Sequence, residues 1–153
     1  MLLKDRVMLI TNVEKFAGHG TTSVALAQGA TVLAHDPSFE APSARRKYEA
    51  QFPGAHALSA IEPATMVELA LKRHGHIDAL VNNDAFPALR APLGEARLDD
   101  YRAALEAMAK MTAQIPLGRL GKAQELGAAV CFLCSDGAGF ITGHVLPHAG
   151  GWA

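Results

Sequence analysis

The chain has 153 residues, half of them hydrophobic, and a formal net charge of −1 at pH 7 with its histidines neutral. This length suits one domain with one core, so we expect a single domain over residues 1–153. The composition excludes a disordered chain, and the balanced charge excludes a broad basic surface for nucleic acid or anionic lipid.

The predicted elements alternate between strand and helix along the first half of the chain. Apolar, β-leaning segments predict four strands, at 6–11, 31–35, 55–58 and 77–82. Helices are predicted between them, at 20–28, 42–52 and 63–74. Such alternation implies right-handed crossovers between parallel strands, and strands this apolar are covered on both faces. The predicted fold class is therefore α/β, a Rossmann-like doubly wound parallel sheet.

The second half of the chain departs from this alternation. A fourth helix is predicted over 99–108, and the proline and glycines within 109–121 indicate a loop with little helix. A helix with an apolar face follows at 122–135, and 143–147 is the predicted last strand. The sheet is thus expected to contain strands one to four and this last strand.

The sequence offers no signal for membrane insertion or export. No apolar run approaches the roughly 20 residues that span a bilayer, and charges at Lys4, Asp5 and Arg6 interrupt the N-terminal apolar segment. Cys131 and Cys134 do not form a disulfide framework. Their spacing puts them on one apolar helix face without a second ligand pair, so we expect neither a metal site nor a redox role. A cytoplasmic location is the resulting expectation.

The turn after the first strand, residues 11–18 (TNVEKFAG), stands where short-chain dehydrogenases carry a Thr-Gly-x-x-x-Gly-x-Gly loop. Asn12 and Phe16 occupy the first two glycine positions, and Gly18 alone remains. Glycine in this turn lets the backbone approach a cofactor diphosphate, and a phenylalanine ring fills that space. Asp36, at the end of the second strand, stands where an acid would hold an NAD ribose. We treat Gly18 and Asp36 as vestigial and expect no cofactor.

Several segments together carry a more specific resemblance. Residues 11–18 match a Thr-Asn-Val-x-x-Phe-x-Gly pattern, and the further matching segments are 35–39 (HDPSF), 83–86 (NDAF), 100–102 (DYR), 142–145 (TGHV) and 149–151 (AGG). In this order they resemble the halohydrin dehalogenase branch of the short-chain dehydrogenase/reductase superfamily. The resemblance covers residues 1–108 and 115–153. It implies a halide or substrate pocket, for which Asn12, Phe16, Asp84 and Phe86 are the candidate lining residues.

The resemblance also implies catalytic residues that this chain lacks. Members of the family convert a vicinal halohydrin to an epoxide and halide with a serine, a tyrosine base and an arginine four residues after that tyrosine. Here Phe52 follows Tyr48 at this spacing and Leu105 follows Tyr101. The family's catalytic segment lies between the elements matched here by 99–108 and 109–121. We therefore infer an internal deletion near residues 108–109 that also removes two central strands.

Individual candidates also have structural interpretations. Phe16 lines a pocket or belongs to the core, Asp84 more readily accepts backbone N–H groups at a strand end, and Asn82 and Asn83 tie strands together. His74 and His76 flank a glycine at a helix end, where a protonated imidazole suits the helix dipole.

Three functions stay open at this point. The first is a cofactor-independent carbon–halogen lyase acting on small halogenated alcohols or epoxides and halide, with no catalytic residue retained in this chain. The second is an NAD(P)-dependent oxidoreductase, which the fold and Asp36 favour and the turn opposes. The third is a non-catalytic module that forms a homo-oligomer, because the deletion exposes a sheet edge. We combine the lineage of the first with the behaviour of the third.

Overall fold

The computed structural model describes residues 1–59, 62–83, 106 and 109–152. The chain divides into two compact units. The first unit consists of Met1–Ala85 and Lys122–His144, and the second consists of Phe86–Gly121 and Val145–Ala153.

A four-stranded parallel sheet forms the centre of the first unit. Its strands are β1 (Val7–Ile10), β2 (Thr31–Ala34), β3 (Ala55–Ala57) and β4 (Ala79–Val81). The order across the sheet is β3-β2-β1-β4, and every neighbouring pair is parallel. The chain therefore winds outward from β1 to β3 and then crosses to the other side of β1, which is the doubly wound arrangement predicted from the sequence.

Four helices of the first unit accompany the sheet in the part of the chain that the structure describes. They are α1 (Gly18–Ala27), α2 (Pro42–Gln51), α3 (Pro63–His74) and α4 (Ala123–Leu133), and short 3₁₀ turns lie at Pro37–Glu40 and Asp136–Ala138. Proline begins α2 and α3, where its missing N–H has no helical partner to lose. Gly75 ends α3 with a φ of +79°, a left-handed conformation that favours glycine.

The alternation of side chains along β1 divides the core between the two faces of the sheet. Met8 and Ile10 point to the face covered by α1, α2 and α4, where Tyr48 and Cys131 are buried. Val7 and Leu9 point to the opposite face and pack in one cluster with Met66 and Ala70 of α3. Both faces are covered, which explains why the strands are apolar at successive positions.

Two glycines bring α1 and α4 into close contact. A Cβ atom added to Gly20 would lie 2.4 Å from the carbonyl carbon of Ala123, and one added to Gly127 would lie 2.8 Å from the Gly20 oxygen. Only glycine allows the two backbones to approach this closely. This contact attaches α4, which is distant in sequence, to the N-terminal part of the first unit.

In the second half of the chain, the structure differs from the predicted elements at two places. Residues 109–114 are helical, not loop, because the run AKMTAQ consists largely of helix formers and precedes the first proline of the segment. Residues 143–147 do not form a strand. Gly143 has a φ of +65° and Pro147 has no N–H to donate, so the segment is poorly suited to a ladder. The helix predicted over 99–108 lies outside the described residues except residue 106, which is helical.

The described part of the second unit is held by its closing loop. The Leu117 N–H donates to the Gly150 oxygen at 3.2 Å, and both Gly150 and Gly151 have positive φ. A Cβ atom on Gly151 would lie 3.0 Å from the ring of Pro116. Trp152 is half exposed beside this loop.

The described helices give no sign of a membrane span. None of them combines the length and the apolar character that crossing a bilayer requires.

Candidate functional site

The turn between β1 and α1 (residues 11–17, the first loop) keeps an unusual backbone path. Asn12 has a φ of +49° and Phe16 a φ of +44°, both in the left-handed region that favours glycine. These are the two positions where the dehydrogenase pattern places glycine. The backbone of a glycine-rich loop is therefore present here with side chains added at both positions.

Gly18, the one retained glycine of the pattern, has a packing role inside this chain. A Cβ atom at this position would lie 2.2 Å from the carbonyl oxygen of Val13 and 2.4 Å from its Cα. The start of α1 thus rests directly on the backbone of the first loop. This contact requires glycine whether or not a ligand binds.

Asn83, immediately after β4, fixes the first loop from the neighbouring strand. Its side-chain Nδ2 donates to the carbonyl oxygens of Asn12 and Lys15, both at 2.9 Å, and its backbone N–H donates to Thr11 Oγ1 at 3.2 Å. Thr11 Oγ1 also donates to Asn82 Oδ1 at 3.2 Å. The predicted structural role of the two asparagines is confirmed.

Asp36 is buried, and hydrogen bonds within the chain occupy its carboxylate. Oδ2 accepts from the Glu14 N–H at 3.1 Å, and Oδ1 accepts from the N–H and the hydroxyl of Ser38 at 3.0 and 2.8 Å. The side chain is only 5% exposed. Asp36 therefore caps the 3₁₀ turn at Pro37–Glu40 and holds the first loop, which leaves little of its hydrogen-bonding capacity for a ribose.

A carboxylate–imidazole pair lies at the start of α1. His19 Nε2 is 3.2 Å from Glu14 Oε2, and the His19 ring contacts the rings of Phe52 and Tyr48 at centroid distances of 5.0 and 5.8 Å. Glu14 and Asp36 both lie near enough to the Tyr48 hydroxyl to help raise its pKa. Glu14 thus places a carboxylate beside the start of α1.

Tyr48, the tyrosine within the described residues, is a core side chain. It is fully buried, its hydroxyl is 2.7 Å from Thr22 Oγ1, and its ring contacts Phe52 at 4.8 Å between centroids. Burial is the main cause of its raised pKa, followed by the two carboxylates against the opposing effect of Thr22. A general base needs the opposite shift, since its charged form must be accessible near neutral pH.

The remaining sequence candidates divide into exposed and buried groups. Phe16 is 73% exposed and so does not belong to the core. Asp84, Phe86 and Tyr101 lie outside the described residues. Burial raises the pKa of the Cys131 thiol to about 11, and it shifts the pKa of Cys134 upward from its ordinary value, which makes both poor nucleophiles.

The histidine prediction requires a correction. Burial, together with the neighbouring His56, Arg73 and His76, lowers the pKa of His74, so the neutral ring is favoured over the imidazolium expected at this helix end. Across the described ranges, no group of three or more metal-ligating side chains comes together.

The chain is similar in sequence and in fold to several known proteins. A solved structure described as a dehalogenation enzyme is 55% identical to the chain, with a TM-score of 0.86, and the match covers 100% of both chains. A 3-ketoacyl-(acyl-carrier-protein) reductase from Brucella melitensis, solved with NADH, shares the fold at 20% identity and a TM-score of 0.74, over 97% of this chain and 98% of that one. The family model described as enoyl-(acyl carrier protein) reductase matches residues 103–153.

Curated relatives match shorter stretches. The 3-oxoacyl-(acyl-carrier-protein) reductase of Pseudomonas aeruginosa is 58% identical over 38 residues, which are 25% of this chain and 15% of that protein. The corresponding reductase of Salmonella typhimurium is 44% identical over 63 residues, 41% of this chain and 23% of that protein. The chain therefore matches less than a quarter of the length of either relative.

Some features of the site were missed from the sequence. The Asp36 cap has a recognisable signal, since an Asp followed by Pro and Ser is typical of a turn in which the carboxylate accepts local N–H groups. The Glu14–His19 and Thr22–Tyr48 pairs have no comparable signal, because they depend on how α1 meets the first loop and α2.

Proposed function

Because the chain belongs to the short-chain dehydrogenase/reductase superfamily, in its halohydrin dehalogenase branch, we propose that it is a non-catalytic member of that branch. The family reaction would turn a vicinal halohydrin into an epoxide and halide without a cofactor. In this proposal the chain retains the loop framework of that lineage and has lost the reaction. The observation that supports it most strongly is the burial of Tyr48 against Thr22.

The missing base is the chemical reason for the proposed inactivity. Ring closure requires removal of the alcohol proton while the alkoxide carbon–oxygen bond forms and the carbon–halogen bond breaks. A tyrosinate four residues before an arginine suits this step, since the cation favours the ionised phenol. Tyr48 has Phe52, not a cation, at that spacing. Its hydroxyl is buried and out of reach of a substrate, and burial raises its pKa. It is therefore not a replacement base.

An internal deletion near residues 108–109 explains where the base was lost. The 38 matched residues make up 15% of the Pseudomonas reductase, so that protein has about 250 residues, compared with 153 in this chain. A difference of this size is large enough to hold two strands and the helix that carries the catalytic tyrosine. Measuring the intact mass and sequencing the encoding DNA tests whether 108 and 109 are adjacent.

We infer that NAD(P), which the superfamily commonly uses, does not fit this chain. The Asp36 carboxylate is occupied by Glu14 and Ser38, and the Glu14 side chain adds negative charge near the start of α1. Phe16 stands in place of a glycine that would let a diphosphate approach the backbone. Steric and electrostatic effects thus both oppose a dinucleotide.

If the chain retains a small-molecule ligand, we expect it at the first loop. The proposed ligands are a small halogenated alcohol, an epoxide, or halide, and the proposed lining residues are Asn12, Phe16, Asp84 and Phe86. The exposed ring of Phe16 provides an apolar surface for such a ligand. Binding without turnover is the behaviour that this proposal predicts.

The third part of the proposal is self-association through β4. Within the described residues this strand ends the sheet, and Leu80 at its centre is 65% exposed. An open apolar edge strand is a template for pairing with another chain. We therefore propose a homo-oligomer, without nucleic-acid or membrane partners. Cytoplasm is its proposed location, consistent with the free thiols of Cys131 and Cys134.

Halide release tests the proposed loss of activity. The purified chain is incubated with a small vicinal bromo-alcohol, and bromide is measured over time. A full-length dehalogenation enzyme serves as the positive control. We expect no release above the uncatalysed background. Turnover that Tyr48→Phe leaves intact would show that a base outside our assignment exists, and turnover abolished by Tyr48→Phe would contradict the core role of this residue.

A further inference from the structure

A cavity of about 460 Å³ lies beside the end of β3, and none of its lining residues belongs to the first loop. Its lining residues are Ala57, Leu58, Ser59, Leu69, Lys72 and Arg73. The volume falls within the range of about 300–1,000 Å³ that is usual for small-molecule pockets. The three residues at the end of β3 form one wall, and one side of α3 forms the other.

The charge of this cavity is one-sided. Lys72 and Arg73 both line it, and neither forms an ion pair with any residue that the structure describes. No acidic side chain is among the lining residues. The carboxylate of Glu49, which bonds to the Ala57 N–H, belongs to α2 and is not part of the lining. Two cations with no acidic partner among the described residues favour an anionic occupant of the cavity.

The rest of the lining supplies an apolar surface and one hydroxyl. Leu58 is buried and Leu69 is partly exposed, so both present hydrocarbon to the cavity. The Ser59 hydroxyl adds a donor that suits a carboxylate oxygen. The lining thus combines a place for a negative head group with a place for a short apolar body.

We propose that this cavity binds a small carboxylate with a short alkyl chain. The carboxylate pairs with Lys72 and Arg73 and accepts from Ser59, and the alkyl chain covers Leu58 and Leu69. The site is distinct from the proposed halohydrin pocket, because none of its lining residues is among Asn12, Phe16, Asp84 and Phe86. Its occupancy is therefore independent of whether the chain catalyses any reaction.

Hexanoate is the probe, and calorimetric titration of the full chain is the measurement. A ligand of this size in an open, charged cavity is expected to bind with a Kd of about 1 mM. Hexanol tests the apolar contribution alone, and inorganic phosphate tests the charge alone. Both are expected to bind about tenfold more weakly than hexanoate. Equal binding of phosphate and hexanoate would contradict the proposed alkyl contact.

A matched pair of double variants assigns the site. The double variant Lys72→Gln, Arg73→Gln removes the two lining cations. The control variant Arg46→Gln, Lys47→Gln removes two consecutive exposed cations on α2 that do not line the cavity. We expect the first to weaken hexanoate binding about tenfold or more and the second to leave it within about twofold. Equal effects, or the absence of saturation about tenfold above the expected Kd, would overturn the proposal.

One further variant guards against a folding artefact, since Lys72 and Arg73 also complement the dipole at the end of α3. Leu69→Glu keeps both cations and places a carboxylate in the cavity wall. It is expected to abolish hexanoate binding while the circular dichroism spectrum stays unchanged. Unimpaired binding by this variant would place the ligand elsewhere.

Discussion

The two edges of the sheet differ in how well they are protected from pairing with another strand. At the β3 edge, the Glu49 side chain on α2 accepts the Ala57 N–H at 3.0 Å, so a side chain occupies a donor that another strand could use. At the β4 edge, Leu80 is 65% exposed, and no further strand follows β4 in the described sheet. The β3 edge is therefore protected by a side chain of the same chain. The β4 edge is apolar and exposed, as expected of a strand that normally lies inside a sheet.

This difference indicates which part of the molecule is complete in itself. On the β3 side, α2 buries Tyr48 in the core and its Glu49 protects the edge of the sheet. The β4 side has an apolar edge strand of the kind found inside parallel sheets. The inferred deletion accounts for the contrast, because the lost segment would have continued the sheet beyond β4.

The largest effect is expected from the contact between α1 and α4. Gly20→Val places a branched side chain against the backbone of Ala123, which lies 2.4 Å from the Cβ position. We expect a loss of about 3 kcal/mol or more in the free energy of unfolding, measured by urea denaturation. Ser23→Val, an exposed position on the same helix, is the control and should change it by less than about 0.5 kcal/mol. Similar small losses would mean that α4 does not rest on α1.

The next effect concerns Asn83, which ties β4 to the first loop. Asn83→Ala removes the side-chain amide that donates two part-buried hydrogen bonds to the carbonyl oxygens of Asn12 and Lys15, so we expect a loss of about 1–3 kcal/mol in the free energy of unfolding. Asn82→Ala, at an exposed neighbour, should have a smaller effect. If the two variants are equally stable, the first loop is held by other contacts.

The two edges themselves give a third prediction. Leu80→Lys adds a charge to the open edge and should shift the chain toward monomer in sedimentation velocity. Glu49→Ala frees the Ala57 N–H and should increase association through β3. Each change should alter the free energy of unfolding by about 1 kcal/mol or less. A chain that is monomeric at high concentration before any substitution would contradict the open-edge interpretation.

The smallest effect is a pH dependence from His74. Because its pKa is lowered in the folded chain, the unfolded chain binds more protons as pH falls below about 6.5, the ordinary histidine value. Stability is therefore full above that pH and decreases as pH falls through the folded pKa. Thermal unfolding between pH 5 and 8 measures the slope, which His74→Leu should reduce. An unchanged slope in that variant would assign the effect to another group.

The sequence predicted the local elements of the first unit better than its long-range contacts. Strand and helix periodicity located β1 to β4 and α1 to α3, because these depend on nearby residues. The meeting of Gly20 with Gly127 could not be predicted, since the two glycines are far apart in sequence and each alone only weakens a helix. The strand predicted at 143–147 was wrong, because Gly143 has a positive φ and Pro147 has no N–H to donate to a neighbouring strand.

The candidate site was predicted in part. The absence of a base was inferred from Phe52 four residues after Tyr48, and the structure adds that Tyr48 is buried. Asp36 was interpreted only as a remnant of ribose binding, although its own neighbours Pro37 and Ser38 predict a cap. The left-handed φ of Phe16 was not predicted, because a phenylalanine gives no local signal for that conformation.

We propose that Glu14, Phe16 and the occupied Asp36 carboxylate exclude a dinucleotide from the first loop. Calorimetric titration with NADH, beside a full-length acyl-carrier-protein reductase as the positive control, tests it most directly. We expect no saturable heat of binding for this chain under conditions in which the reductase binds NADH. Stoichiometric binding that is weakened by a substitution at Gly18 or Asp36 would contradict it.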